Sequence, residues 1–263
     1  MLTIAVKAAR RAGGIINRAS RTLDIVAVQE KAANDFVSEV DREAEAAIIR
    51  TLREAYPDHS ILAEESGASG KSEFRWIVDP LDGTTNYLHG FPQYAIAIAL
   101  MHKDIITQAV IYDPGRNDLF TASRGRGAFL NDQRMRVGKR TLKLGLIGTG
   151  LPFKDQHAHL DTYLAMLRDV MRNSASVRRA GSAALDLAYV AAGRLDGFWE
   201  IGLSPWDIAA GALMITEAGG LVGDLEGEKN YLKSGNVVAG SPRLFAELLH
   251  ILRPHLTPAL RQG

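Results

Sequence analysis

The sequence predicts a layered α+β or α/β sandwich. Two observations lead there. Helix-period apolar patterns are interleaved with short apolar and β-branched runs. In the first half two helical stretches are followed by several adjacent strands, whereas in the second half helices and strands alternate. That order fits stacked layers better than a barrel of eight regular βα units.

Helical patterns occupy 2–23, 38–55, 155–172, 182–193, 205–218 and 242–252. In the first, Leu2, Ala5, Val6, Ala9, Ala12, Ile15 and Ile16 fall on one face, while Lys7, Arg10, Arg11 and Arg18 interrupt the apolar run. The segment therefore reads as an amphipathic helix and not as a signal peptide. Trp76-Ile77-Val78 is a short strand that meets an Asp-Pro stop. Residues 94–101 and 105–112 read as two strands joined by a tight turn over 102–104. Further strands are expected at 119–123, 144–149, 197–201 and 236–239. No repeat or linker divides the chain. The expected halves are 1–141, with most candidate acids, and 142–263, with Asp207 and the candidate substrate contacts, joined in one compact unit.

The 263 residues are 46% hydrophobic, enough for a sizeable core, and the formal net charge of +1 marks no global nucleic-acid or membrane binder. There are no cysteines. This excludes disulfides, thiolate metal sites and a cysteine nucleophile, and is compatible with a reducing cytoplasm. No apolar stretch approaches the roughly 20 residues needed to span a bilayer.

The most informative run is Trp76-Ile77-Val78-Asp79-Pro80-Leu81-Asp82-Gly83-Thr84-Thr85-Asn86. An apolar strand ends in two aspartates three residues apart, at the kind of strand end where α/β proteins place ligands. The expectation is that Pro80 stops the strand and bends both carboxylates toward one point. Gly83 allows close backbone approach, and a helix beginning at Thr84 or Thr85 would offer free N–H groups to a phosphate. An isolated Asp-x-x-Asp would read as a solvated capping turn; the whole run is far more specific.

Other acids stand in similar places. Ile61-Leu62-Ala63 leads into Glu64-Glu65, of which one should enter a site while the other points elsewhere. Ser204-Pro205-Trp206-Asp207 combines an N-cap, a proline at the first helical position and an acid in the first turn. Asp41 lies early in a helix, where Ser38 and Asp41 form a capping-box pattern; its alternative role is to pair with Thr84 and orient a water. Such a set offers only hard oxygen ligands, which select Mg²⁺, Mn²⁺ or Ca²⁺ over zinc or copper. Crowded carboxylates without cations repel one another, and divalent ions remove that conflict.

The Asp79-to-Thr85 run, the Trp206-Asp207 pair and Glu64-Glu65 resemble the inositol monophosphatase family, over nearly the whole chain. Residues 178–194, Arg-Arg-Ala-Gly-Ser-Ala-Ala-Leu-Asp-Leu-Ala-Tyr-Val-Ala-Ala-Gly-Arg, are especially similar to its bacterial SuhB-type branch. The resemblance implies an α-β-α-β-α layered fold, often a homodimer, and hydrolysis of a small phosphate ester with two to three Mg²⁺ per site. It implies one ion on Glu64, Asp79 and the Leu81 carbonyl and a second on Asp79, Asp82 and Asp207, with Glu64 also serving a third through water. Thr84 and Asp41 would activate the water, and the Gly83 and Thr84 amides would hold phosphate. Ser182, Ala183, Glu200 and Asp207 would contact inositol hydroxyls, while Lys31 and Glu65 match positions lining the family's site.

Relatives acting on fructose bisphosphate, adenosine bisphosphate or histidinol phosphate share the metal motif. Glu200 favours a polyol, since a carboxylate accepts hydroxyl hydrogen bonds and repels a second phosphate. The SuhB-type resemblance also implies association with the transcription elongation machinery, through NusA and RNA polymerase in an antitermination complex, and a role in ribosomal RNA synthesis. Arg124, Arg126, Arg134, Arg136, Lys139 and Arg140 are candidates for such a surface; an ordinary solvated loop is the alternative.

Overall fold

The computed structural model describes residues 1–21, 28–32, 35–151 and 156–262, and the side chains of 1–21, 39–151 and 159–261. Helix α1 (Leu2–Ala19) buries Ala5, Ala8, Ala9, Ala12, Gly13 and Ile16, one stripe at helical spacing. It ends before the expected Leu23, which lies outside the described residues. A hairpin of β1 (Val28–Ala32) and β2 (Asp35–Ser38) precedes α2 (Glu39–Ala55). The inward stripe of α2 carries two acids, Asp41 and Glu45, beside Ala44, Ile48 and Leu52. They lie one turn apart on a face otherwise made for the core.

An eight-stranded sheet follows, built from β3 (Ser60–Ala63), β4 (Gly67–Ser69), β5 (Phe74–Asp82), β6 (Ala95–His102), β7 (Ile105–Asp113), β8 (Asp118–Ser123), β9 (Gly127–Leu130) and β10 (Gln133–Arg134). Its order is β10-β9-β8-β7-β6-β5-β3-β4, and β3 runs parallel to β5. The β6–β7 turn puts Lys103 and Asp104 at φ of 48° and 62°, the left-handed pair a two-residue hairpin requires.

Strand β5 corrects the expectation that Pro80 stops the strand. Pairing with β6 continues past the proline, from Asp79 opposite Ala97 to Asp82 opposite Ala95, so β5 carries one extra residue across that interval. Proline has no N–H to give a ladder and is tolerated at such a bulge. The extra residue has a chemical consequence. Residues three apart on a regular strand point to opposite faces; one inserted residue brings the two aspartates to the same side.

The second sheet has the order β12-β11-β13-β15-β14, from β11 (Leu146–Thr149), β12 (Ser176–Arg178), β13 (Gly197–Glu200), β14 (Leu221–Gly223) and β15 (Val237–Gly240). Strand β11 is parallel to both neighbours. Helices α5 (Ala183–Ala191) and α6 (Pro205–Glu217) lie between the sheets. Their burial is nearly continuous, and residues 208–215 of α6 are all buried, as expected for a helix with sheet on both sides. The two helices approach closely at Gly211, where a Cβ would fall 2.4 Å from Leu187 Cβ.

Alternation along β6 shows how the layers divide. Ala95, Ala97 and Ala99 join the core shared with α5 and α6, while Ile96, Ile98 and Leu100 join the one under α1 and α2. A third core joins the far face of the second sheet, with Ile147, Trp199 and Val238, to α4 (Gln156–Asn173) and α8 (Pro242–Leu252). The result is the expected α-β-α-β-α sandwich. Between β5 and β6 sits the short α3 (Thr84–Leu88), and α7 (Tyr231–Ser234) and α9 (Pro258–Gln262) complete the described α-helices. No described helix is long and apolar enough to cross a membrane.

Candidate active site and its acidic cluster

A cavity of about 360 Å³ opens where strand ends from both sheets meet the starts of α5 and α6. Its walls carry Glu64, Asp79, Asp82 and Asp207, with Gly83, Thr84, Ser182, Ala183 and Glu200 beside them. Strand ends and helix starts together supply free backbone N–H groups, a setting that suits anions.

Asp79 is 1% exposed and accepts the Leu81 N–H at 2.9 Å. Glu64 follows β3 directly; its N–H donates to the Val78 carbonyl at 3.1 Å, which sets it next to Asp79, and a side-chain hydrogen bond joins the two acids. Asp82 Oδ2 accepts the Ser182 hydroxyl at 2.5 Å and the Ala184 N–H at 2.8 Å. Ser182 is the N-cap of α5, so this acid is held by a helix start contributed from the other half of the chain. Asp207 lies in the first turn of α6, with its Oδ2 accepting the Ser204 N–H at 2.7 Å. Thus the capping arrangement is real, and the same carboxylate reaches the cluster.

Each of Asp79, Asp82 and Asp207 offers a carboxylate oxygen, and these three atoms lie within 4.8 Å of one another. Burial, then the charges of Glu64, Asp82 and Asp207, push Asp79 well above the usual carboxylate range. Burial likewise lifts Asp82 to about 6, against the opposing pull of its Ser182 and Ala184 hydrogen bonds. These groups resist ionising together unless positive charge joins them. The donor set is oxygen throughout, as a hard divalent cation requires.

Asp41 reaches the site through Thr84. Thr84 Oγ1 lies 2.9 Å from Asp41 Oδ1 and 3.0 Å from the Leu81 carbonyl oxygen, with Asp41 buried at 1% exposure. Gly83, at φ 92°, must be glycine: an added Cβ would sit 2.8 Å from the Gln93 carbonyl oxygen. Glu200 ends β13 at 5% exposure, held above its ordinary range by burial and by the charges of Asp186, Asp207 and Asp82.

Not every candidate comes together. Glu65 lines a separate groove with Arg42 and Arg53, and its N–H donates to Glu45 Oε2 at 2.8 Å. Lys31 has its side chain outside the described residues. The basic run is partly engaged locally, since Arg140 lies 3.4 Å from Asp196 and the Arg134 guanidinium packs against Gly127.

Sequence reasoning missed Asp186, Arg179 and Gly150 on the cavity wall, and Asn86, whose Nδ2 donates to the Gln93 and Ala180 carbonyls at 2.7 and 2.9 Å. Asp186 had a signal: it follows Ser182 by four residues, one helical turn, and so shares its face. Gly150 had none. It is open because the Glu200 carboxylate occupies the space where its Cβ would be.

Three comparisons bear on this geometry. Residues 1–257 match the model of the inositol monophosphatase family. The chain is 52% identical over 268 residues, covering 100% of itself and 99% of its relative, to a Pseudomonas aeruginosa protein named Nus factor SuhB. Among solved structures it is similar to the extragenic suppressor protein SuhB of Bartonella henselae, with a TM-score of 0.93, 46% identity, 97% of this chain and 98% of the other. It is similar also to the inositol monophosphatase of Anabaena (Nostoc) sp. PCC 7120, with a TM-score of 0.86, 36% identity, 100% of this chain and 98% of the other. A full-length family match, a shared fold and an acidic cluster at its centre agree: the chain belongs to the inositol monophosphatase family.

Proposed function

We propose that the protein is a Mg²⁺-dependent phosphatase that hydrolyses inositol monophosphate and similar polyol monophosphates to the free polyol and phosphate. The observation that carries this reading is the meeting of Asp79, Asp82 and Asp207 oxygens within 4.8 Å beside the Thr84–Asp41 hydrogen bond. Family membership supports phosphatase chemistry.

Glu64, Asp79 and the Leu81 carbonyl would hold one cation, and Asp79, Asp82 and Asp207 a second. Divalent cations supply there the positive charge that neutralises phosphate oxygens and stabilises the departing alkoxide. The chain's own groups do the rest. The Gly83 and Thr84 amides orient the phosphate. Thr84 Oγ1 accepts a hydrogen bond from the attacking water while its own hydroxyl proton passes to Asp41 Oδ1, so the proton leaves the nucleophile along a fixed 2.9 Å contact. As the water oxygen bonds to phosphorus, the bond from phosphorus to the alcohol oxygen breaks on the opposite side. Ser182, Ala183 and Glu200 line the wall facing the alcohol, and Glu200 disfavours a second phosphate there.

The test is turnover of a panel of phosphate esters with Mg²⁺ and with chelator, for the natural protein and Asp82→Asn. Mg²⁺-dependent release of phosphate that favours polyol monophosphates supports the reading. Cleavage that survives in Asp82→Asn refutes the metal assignment.

A second reading, a Nus-factor role in transcription antitermination, is favoured by the name Nus factor SuhB of the Pseudomonas relative, with NusA and RNA polymerase as the partners this reading would require. The two roles are compatible. Complementation by the Asp82→Asn protein separates them, because a binding role survives loss of catalysis.

A further inference from the structure

We propose that Asp186 is a specificity-determining residue, whose buried carboxyl on the cavity wall receives a hydroxyl hydrogen bond from the alcohol part of the substrate. This rests on the phosphatase reading above and adds to the substrate wall a residue with no part in the steps described there.

Asp186 lies one turn into α5 from the N-cap Ser182, with its N–H donating to the Ser182 carbonyl at 3.0 Å. The two side chains therefore share a helix face, and both line the 360 Å³ cavity. Ser182 spends its hydroxyl on Asp82. Asp186 is different: it is 2% exposed, and its buried Oδ1 has no hydrogen-bond partner among the described residues. A buried carboxyl oxygen left without a donor is unfavourable, and such atoms as a rule have a partner in the working state. The Asp186 carboxyl is itself part of the cavity wall.

The neighbours set what that partner is. Glu200 shares the wall and feels the Asp186 charge, while burial and then the Asp82 charge act on Asp186, with Arg179 in the opposite sense. A second phosphate or a carboxylate would meet two acids. A neutral O–H donor meets an acceptor, and a carboxyl keeps acceptor capacity in either protonation state. Two acids on one wall then match two hydroxyls of one substrate. The class this selects is a monophosphate of a polyol with at least two free hydroxyls beyond the ester carbon.

The experiment compares kcat/KM for myo-inositol 1-phosphate with kcat/KM for phenyl phosphate, which has no hydroxyls on its ring, in natural protein, Asp186→Ala and Asp186→Leu with Mg²⁺. The ratio of the two constants should fall about tenfold in Asp186→Ala, the order expected for a lost hydrogen bond to a carboxyl group. Asp186→Leu keeps a similar side-chain volume, has no acceptor and should lower the ratio in the same direction, so a misfolded alanine variant does not end the test. A ratio that changes by less than threefold in the folded variants overturns the role of Asp186 alone. Natural protein that cleaves neither ester overturns the phosphatase reading, and this inference with it.

Discussion

Thr84 Oγ1 stands 2.9 Å from Asp41 Oδ1, joining the start of α3 to the first turn of α2 across 43 residues of chain. A hydroxyl so placed can pass its proton only if the carboxylate accepts it. Asp41→Asn should therefore lower kcat by roughly 10²–10³-fold, in the range of general-base contributions, with KM changed little. Steady-state kinetics at saturating Mg²⁺ tests this, and an unchanged kcat removes Asp41 from the proton path.

The cluster should report on its own repulsion. Because Asp79, Asp82 and Asp207 crowd within 4.8 Å, Asp79→Asn relieves like-charge strain in the metal-free protein. We expect its thermal midpoint in chelator at neutral pH to match or exceed that of the natural protein, while the stabilisation by added Mg²⁺ disappears. Calorimetry with and without Mg²⁺ checks both parts.

The sign of the pH dependence follows from the same groups. Asp79 is raised well above the carboxylate range and Asp82 to about 6, so the folded metal-free chain holds protons that the unfolded chain has released. Between about pH 4, the unfolded carboxylate value, and about pH 6, their contribution makes stability fall as pH rises. Metal-free Asp82→Asn should show a shallower fall over that window than the natural protein. Mg²⁺ should stabilise the natural protein more at pH 8 than at pH 5.

Gly150 offers a test of the substrate wall. A methyl group there would overlap the Glu200 carboxylate, so Gly150→Ala must displace that side chain. Folding should persist, and kcat/KM for a polyol ester should drop relative to phenyl phosphate, as it should in Glu200→Gln. A variant with natural selectivity places Glu200 outside the recognition of the alcohol.

At Gly211 the issue is packing. Its added Cβ would lie 2.4 Å from Leu187 Cβ, so Gly211→Ala should push α5 from α6 and destabilise by about 1–3 kcal/mol. Chemical denaturation measures this. Because both helix starts carry site residues, activity should fall with stability.

Much of the fold was legible because its signals are local. The apolar stripe of α1, the hairpin around Lys103 and Asp104, and the Ser204-Pro205 start of α6 are each dictated by residues within a turn of one another. The bulge in β5 was not. Pro80 announced an irregularity, but whether the strand stopped or continued depended on pairing with Ala95 and Ala97 of β6, which no local pattern encodes. Several short elements, including β4, β12 and β14, were too brief to leave a period.

Asp41, Glu64, Asp79, Asp82, Thr84 and Asp207 could be named from the chain alone, because strand ends, caps and turn residues mark where polar groups are held at the edge of a core. Ser182 and Glu200 came only with the family resemblance, and Asp186 did not come at all. How these residues meet could not be read there. Only the packing of α5 and α6 between two sheets sets Ser182 against Asp82 at 2.5 Å, leaves Asp186 Oδ1 without a partner among the described residues and turns Glu65 into a different groove from Glu64. Those relations join residues up to 100 positions apart, and they exist because the sheets and central helices bury their apolar faces in one arrangement that closes the cavity around the carboxylates.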